Sequence, residues 1–288
     1  MDCSICESKN VEIKFNITSD RQILCCLSCG VEFLFPQLNE EELTKLYSEN
    51  YYHAWGIKGE EENETTKKMK MATFQLRLNL IKQFVKKGRV LDVGCATGYF
   101  LEAAKENGFE PFGVELSEYS SNISKKKFGA ETIFCGTLEQ CNFSAKSFDV
   151  IAMSDLIEHV RIPSQTLSKA ANLLKEDGVI MIMTPDTKTL FNNLMGKRWT
   201  HYKLEHFFYF SFSSMHYLAK QCGLKVVHYE RSKKALTINY LHTQLNTYKH
   251  WLFTPLINSL HAMLPKKFVE RIFYFSIGEM VVLLKADK

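Results

Sequence analysis

The residues Arg89-Val90-Leu91-Asp92-Val93 form an apolar, strand-like run that leads into Gly94-x-x-x-Gly98 and a helical stretch at 99–107, stopped by Gly108. Strand, glycine loop and helix in that order constrain the fold more tightly than any other feature of the chain. Glycine permits the sharp turn and lets the backbone come close to a ligand. From about residue 71 the pattern repeats, with further strands expected at 111–116, 131–135, 148–153, 179–184, 224–229 and 279–285. Helices are expected through Met69, Leu76, Leu80 and Phe84, over 164–175 and near 213–222. Apolar runs that alternate with helical patterns predict βαβ units around a parallel sheet. The run Phe148-Asp149-Val150-Ile151-Ala152-Met153 is apolar apart from Asp149, as a strand buried on both faces requires. The expected fold is α/β: a seven-stranded, mostly parallel sheet with helices on both faces, over residues 71–288.

Before that domain stand two cysteine pairs, Cys3-x-x-Cys6 and Cys26-x-x-Cys29-Gly30. Two thiolate pairs about twenty residues apart have the spacing of a zinc ribbon, and a tetrahedral Zn²⁺ supplies folding energy that a unit this small cannot draw from a core. Cys3, Cys6, Cys26 and Cys29 are the expected ligands of a closed structural site over residues 1–36; Cys25 is the alternative to Cys26. Short strands are expected at 11–17 and 22–26. Residues 37–70 are charged and polar with scattered aromatics (Tyr47, Tyr51, Tyr52, Trp55) and read as a helical connector.

Nine cysteines, an odd number, and no apolar signal core at Met1-Asp2-Cys3-Ser4-Ile5-Cys6 point to a reducing, cytoplasmic setting. No segment reaches the roughly 20 apolar residues that span a bilayer. A net charge of +4 lacks the concentrated basic face of a nucleic-acid binder, so no nucleic-acid partner is expected. The densest basic cluster, Lys125-Lys126-Lys127, reads as a solvated helix face.

Asp92 flanks the glycine loop, and a second acid, Glu115, ends the next strand about 20 residues on, where a nucleotide-binding fold places a ribose-binding carboxylate. The loop is not the dinucleotide fingerprint G-x-G-x-x-G. The run Val-Leu-Asp-Val-Gly-Cys-Ala-Thr-Gly at 90–98 resembles motif I of the class I S-adenosylmethionine (SAM)-dependent methyltransferases, which have a Rossmann-like sheet. The resemblance continues through Gly113-Val114-Glu115-Leu116-Ser117, Ser147-Phe148-Asp149-Val150-Ile151 and 174–180, and covers about residues 71–230. It implies a SAM site made of Asp92, Gly94, Cys95, Ala96 and Gly98, with Glu115 and Leu116 after the second strand. Thr137 and Leu138 near the adenine and Ser154 after the fourth strand complete it.

Two segments are expected beyond the carboxyl ends of the strands, where ligands of open α/β sheets bind. Ser154-Asp155-Leu156-Ile157-Glu158-His159 resembles the Glu-x-x-Glu-His segment of ubiquinone-biosynthesis-type O-methyltransferases, where the acids and histidine are associated with a divalent metal. Here Asp155 stands for the first Glu, so the resemblance implies Asp155, Glu158 and His159 as a possible Mg²⁺ set, although histidine is an unusual ligand for that ion. The stretch 198–211, with His201, Glu205-His206 and six aromatics, resembles the Trp…Glu-His…Phe-Ser stretch of the same enzymes. His159, His206 and Glu158 are the candidate catalytic residues. Asp-Pro-Pro-Tyr and Asn-Pro-Pro-Tyr, common in base and amide N-methylation, are absent after the fourth strand.

The reading is a methyltransferase acting on oxygen in a small molecule or glycan precursor. The alternatives are carbon or nitrogen methylation, RNA included, or a non-catalytic SAM-fold and zinc-ribbon interaction module. A helical insertion at about 232–272 carries an apolar stripe (Leu241, Leu245, Tyr248, Leu252, Leu256, Leu260, Met263) that fits packing against the sheet or a second subunit, or peripheral membrane contact.

Overall fold

The computed structural model describes residues 2–46, 64–247, 249, 251 and 253–287. Tyr47, Tyr51, Tyr52, Trp55, Tyr248 and Leu252 lie outside the described residues. Three short strands open the chain: β1 (Val11–Asn16), β2 (Gln22–Cys26) and β3 (Glu32–Phe35). The central sheet is built from β4 (Gly88–Val93), β5 (Phe109–Glu115), β6 (Ile133–Cys135), β7 (Phe148–Ser154) and β8 (Leu174–Pro185), then, after the two-residue β9 (Phe208–Tyr209), β10 (Leu224–Arg231). β11 (Lys234–Thr237) and β12 (Ile272–Phe275) bracket the insertion, and β13 (Glu279–Ala286) closes the sheet.

The seven-stranded sheet has the order β10-β13-β8-β7-β4-β5-β6. Strands β8, β7, β4, β5 and β6 pair in parallel, while β13 runs antiparallel to both of its neighbours. Because β4 sends the chain to β5 on one side and lies beside β7 on the other, the order reverses there, and a crevice opens outside its carboxyl end.

Alternation along the strands assigns the two faces. Leu91, Val93, Ile151, Met153, Ile180 and Ile182 enter one core; Val90, Val150, Ala152, Val179, Met181 and Met183 enter the other. Neighbouring residues point to opposite faces, so continuous apolar strands must be covered on both sides. Helices Glu64–Ile81 and Tyr99–Glu106 cover the second core with Leu78, Ile81, Phe100 and Leu101. Helices Pro163–Leu173 and Phe212–Gln221 cover the first with Leu167, Leu173, Met215 and Leu218.

The expected strands appear with shifts of one or two residues at most ends. The exception is β8, which begins at Leu174 rather than at 179, with Glu176-Asp177-Gly178 inside the strand. A bulge in the β7–β8 register absorbs that extra length.

The N-terminal strands form an antiparallel sheet, β1-β2-β3-β9, whose fourth strand comes from the far side of the chain. Phe33 pairs with Phe208 and Glu32 with Tyr209. Glu32, buried, accepts from Lys14 Nζ at 2.6 Å and from the Tyr202 hydroxyl at 2.8 Å. Ile23, Leu24, Val31 and Leu34 share one apolar cluster with the central sheet.

The insertion is not helical throughout. Its base is the antiparallel pair β11–β12, on which helices Ile238–Thr247 and Phe253–Met263 and a short turn of helix, Lys266–Val269, are mounted.

Gly113 in β5 is a tight point of this packing: a Cβ there would stand 2.6 Å from Cys95 Sγ and 2.9 Å from Ile133 Cδ1. Neither neighbour is the free end of a long chain, so both must move. Gly113→Ala is expected to cost about 1–3 kcal/mol, read as a lower urea midpoint with an unchanged m-value.

Candidate active site

β4 ends at Val93, and the chain turns at once, with Gly94, Ala96 and Gly98 all at positive φ (78°, 46° and 85°). Gly94 N–H and Cys95 N–H both donate to Val114 O, at 2.8 and 3.1 Å, which closes the loop against β5. Gly94 also faces Leu156, whose Cδ1 would lie 3.0 Å from an added Cβ, so the loop and the segment after β7 touch. Glu115 is the hub. Its Oε2 accepts from Ala96 N–H and its Oε1 from Ser117 N–H, both at 2.8 Å. Burial raises its pKa against the pull of those amides. Asp92, in the adjacent strand, is driven well above the usual carboxylate range by burial and then by the Glu115 charge.

Helix Glu118–Phe128 braces the loop from outside, a support the sequence reading missed. Ser117 caps that helix. Ser124 Oγ donates to Ala96 O at 2.6 Å, and Lys127 Nζ donates to Thr97 O at 2.9 Å. Lys127, taken with Lys125 and Lys126 as a solvated face, therefore holds a loop carbonyl.

The other residues expected at the cofactor divide. Leu116 projects beside Glu115 with 72% of its surface exposed. Thr137 N–H donates to Gln140 Oε1 at 3.0 Å, after Gly136 N–H has paired with Glu115 O. Leu138 is turned into the core, and Cys95 is buried with its thiol pushed up by burial. Ser154 Oγ is buried without a hydrogen-bond partner at the end of β7.

Beyond β7 the chain makes a 3-10 turn, Ile157–His159. Glu158, His159 and His206, far apart in sequence, converge: one donor atom from each lies within 4.8 Å of the other two. Backbone pairing explains the meeting, since Phe207 N–H donates to Glu158 O at 2.8 Å and docks the 199–211 segment on the turn. The His159 and His206 rings meet edge-on at 4.6 Å, and His201 stacks on His206 at 6.3 Å. Thr184 Oγ1 donates to Glu158 Oε2 at 2.9 Å. His159 is hydrogen-bonded to the backbone of Glu205, and His206 to that of His201, while His206 Nδ1 is buried with no partner.

Burial sets the protonation states. His159 is lowered to about 4 and His201 to about 3, and His206 is well below its ordinary value, all chiefly by desolvation. Glu158 is driven well above the usual range by burial and the neighbouring Asp155. Near neutral pH the imidazoles are uncharged and carry lone pairs.

Asp155 does not join this group. At φ 52° it turns toward Lys234, with 3.5 Å between Nζ and Oδ2, and Lys234 also binds Glu279 at 2.5 Å. The expected Mg²⁺ set of Asp155, Glu158 and His159 is thus replaced by two imidazoles and one carboxylate. Nitrogen-rich donors do not suit that hard, oxygen-seeking ion.

A second cluster lies in the N-terminal sheet. Cys3, Cys6, Cys26 and Cys29 bring their sulfurs within 4.8 Å of one another, with Cys3–Cys29 at 3.7 Å and Cys6–Cys26 at 3.4 Å. A tetrahedron with Zn–S of about 2.3 Å has sulfur–sulfur edges of about 3.8 Å, so the donor set fits Zn²⁺. Gly30, at φ 76°, returns its N–H to Cys26 O at 2.9 Å and so forms the second knuckle. Cys25 takes no part.

Comparison with known proteins bears on the family and the fold. The sequence pattern of a family described as "Methyltransferase domain" matches residues 66–229. The chain is 32% identical over 115 residues to a ubiquinone biosynthesis O-methyltransferase of Coxiella burnetii (strain Dugway 5J108-111), covering 38% of this chain and 49% of that protein. It is 31% identical over 117 residues to the protein of that name from Saccharophagus degradans, with the same coverage. The chain thus spans about half the length of these curated relatives. Among solved structures, a SAM-dependent methyltransferase from Archaeoglobus fulgidus aligns with a TM-score of 0.53 at 19% identity, covering 82% of this chain and 99% of that one. A Pyrococcus horikoshii OT3 protein aligns with a TM-score of 0.54 at 17% identity, covering 83% and 99%. At these identities the likeness establishes the fold.

The lowered histidines link stability to pH. An unfolded chain takes up a proton at His159 below pH 6.5, while the folded chain resists until about 4, so acidification across that window favours unfolding. The raised acids Asp92 and Glu158 work in the opposite sense, so a difference measurement isolates the imidazole. The stability gap between the wild type and His159→Gln is expected to shrink by roughly 1 kcal/mol per pH unit as pH falls from 6.5 toward 4. Urea unfolding of both proteins at several pH values measures it.

Proposed function

Because the chain belongs to the methyltransferase-domain family, we propose that it transfers the methyl group of SAM to a hydroxyl oxygen of a small molecule or glycan precursor. The observation that carries this reading is the convergence of His206 with Glu158 and His159, which stand just after Leu156, the residue that faces Gly94 of the glycine loop. SAM binding is supported by the Gly94–Gly98 loop and by Glu115, whose carboxylate already accepts two hydrogen bonds and suits ribose hydroxyls. Oxygen as the target is supported by neutral, lone-pair imidazoles where an acceptor proton has to leave.

Methyl transfer from a sulfonium is an in-line displacement with an excellent leaving group, so the protein's work is to position the acceptor and exclude water. Loop and turn fix the donor side. On the acceptor side, an approaching hydroxyl gives its proton to a ring nitrogen, for which the unpartnered His206 Nδ1 is the best candidate. The oxygen–carbon bond forms as the sulfur–carbon bond breaks, leaving S-adenosylhomocysteine. His159, whose ring meets that of His206 edge-on, holds the His206 ring in place. In the N-terminal sheet, the four close sulfurs support a structural Zn²⁺, which would supply folding energy and no methyl-transfer chemistry.

Isothermal titration is expected to show SAM binding, weakened about tenfold to a hundredfold in Glu115→Ala through loss of charge-assisted hydrogen bonds. No heat at millimolar SAM would exclude the donor assignment. His159→Ala and His206→Ala are expected to abolish methyl transfer into cell-extract acceptors while leaving SAM affinity nearly unchanged; wild-type labelling by both would remove the base. Elemental analysis is expected to find one zinc per chain, and Cys26→Ser is expected to lose it together with thermal stability.

A further inference from the structure

Two stretches of the chain, 187–204 and 231–269, contain no Asp or Glu, although the whole sequence has 32 acids in 288 residues. Each includes a helix with an apolar outer stripe. Leu190 and Leu194 lie one turn apart on helix Leu190–Met195, and Leu256, Leu260 and Met263 follow i, i+4, i+7 spacing on Phe253–Met263. These five side chains are between 41% and 82% exposed. Phe191 packs on Phe253 with 5.6 Å between ring centroids, so the two helices meet.

The stripes are surplus to the fold. Ile257, on the inner side of its helix, joins Ile238 and Val269 in a small core of the insertion's own, padded by Leu241, Leu245, Leu264 and Phe273. Exposed cations flank both stripes: Lys188, Lys197 and Arg198 around the first helix, Lys249, Lys266 and Lys267 around the second. Glu270 is the first acid after them.

We propose that this paired face docks the protein on an anionic phospholipid bilayer, with the five apolar side chains entering the interface and the flanking cations meeting the headgroups. Apolar insertion together with attraction of several lysines to acidic lipid is the combination that holds peripheral proteins at a membrane. A second copy of the chain fits the face less well, because a twofold contact would set one ring of cations against another. A membrane-crossing role does not arise, since among the described residues no helix is long and apolar enough to span a bilayer. The inference holds whatever the methyl acceptor is.

The test is co-sedimentation of the full chain with vesicles of mixed phosphatidylglycerol and phosphatidylcholine, against vesicles of phosphatidylcholine alone. The wild type is expected to pellet with the anionic vesicles only, and to be released by salt. The double variants Leu256→Glu/Met263→Glu and Lys266→Glu/Lys267→Glu are each expected to lose affinity about tenfold or more. All four substituted positions being exposed, the variants' thermal melts are expected to match the wild type. Wild-type protein left in the supernatant with anionic vesicles at low salt overturns the proposal. So does equal binding to neutral vesicles, or undiminished binding by both variants. A dimer in sedimentation velocity that Leu256→Glu/Met263→Glu dissociates, with no vesicle binding, assigns the face to a second copy instead.

Discussion

Two backbone amides from different loops meet on the single carboxylate of Glu115, and the carboxyl end of the sheet is organised around that meeting. Ala96 N–H belongs to the turn after β4 and Ser117 N–H to the turn after β5. One acid therefore joins the glycine loop to the start of the helix that braces it. Burial makes the anion costly, and the amides offset that cost. The left-handed backbone at Gly94, Ala96 and Gly98 is held by this bond, by the Val114 carbonyl and by Ser124 and Lys127 from outside.

Much of this was legible in the residues, for identifiable reasons. The central strands are apolar on both faces, and their alternation divides cleanly between two cores, so local pattern and tertiary packing agree. The candidate acid and histidines were legible because Glu158-His159 and Glu205-His206 stand in recognisable segments. What escaped the reading depends on partners distant in sequence. β9 is two residues long and shows no periodicity; only β3 makes it a strand. Asp155 looked like a metal ligand because its neighbours do, and Lys234, from the base of the insertion, takes it away. Leu138 looked ligand-facing from its place after β6, yet its side chain fills the core.

The base of the insertion is tied to the site through charge. Lys234 bridges Asp155 and Glu279, while Arg77, buried in helix Glu64–Ile81, donates to Ser232 Oγ and, at 3.2 Å, to Lys233 O. Two cations and two acids balance one another where β11 begins, just after the last strand residue of β10. Buried ion groups of this kind contribute little net stability but penalise any arrangement that parts them. They fix where the insertion is rooted, and the apolar cluster inside it fixes only its own helices.

The pairing of β3 with β9 also bears on the order in which the chain can be assembled. A polypeptide made from its amino end presents all four clustered cysteines, Cys3 to Cys29, long before the strand that completes their sheet, which begins only at Phe208. Until then β3 is an open edge, the kind of surface that recruits strands from other chains. Leu34 N–H, which finds Phe207 O at 2.9 Å in the finished protein, has no such partner on a nascent chain. During synthesis the cysteine-bearing strands thus emerge well before their sheet can be sealed, and a chain released before residue 208 would carry that adhesive edge with it.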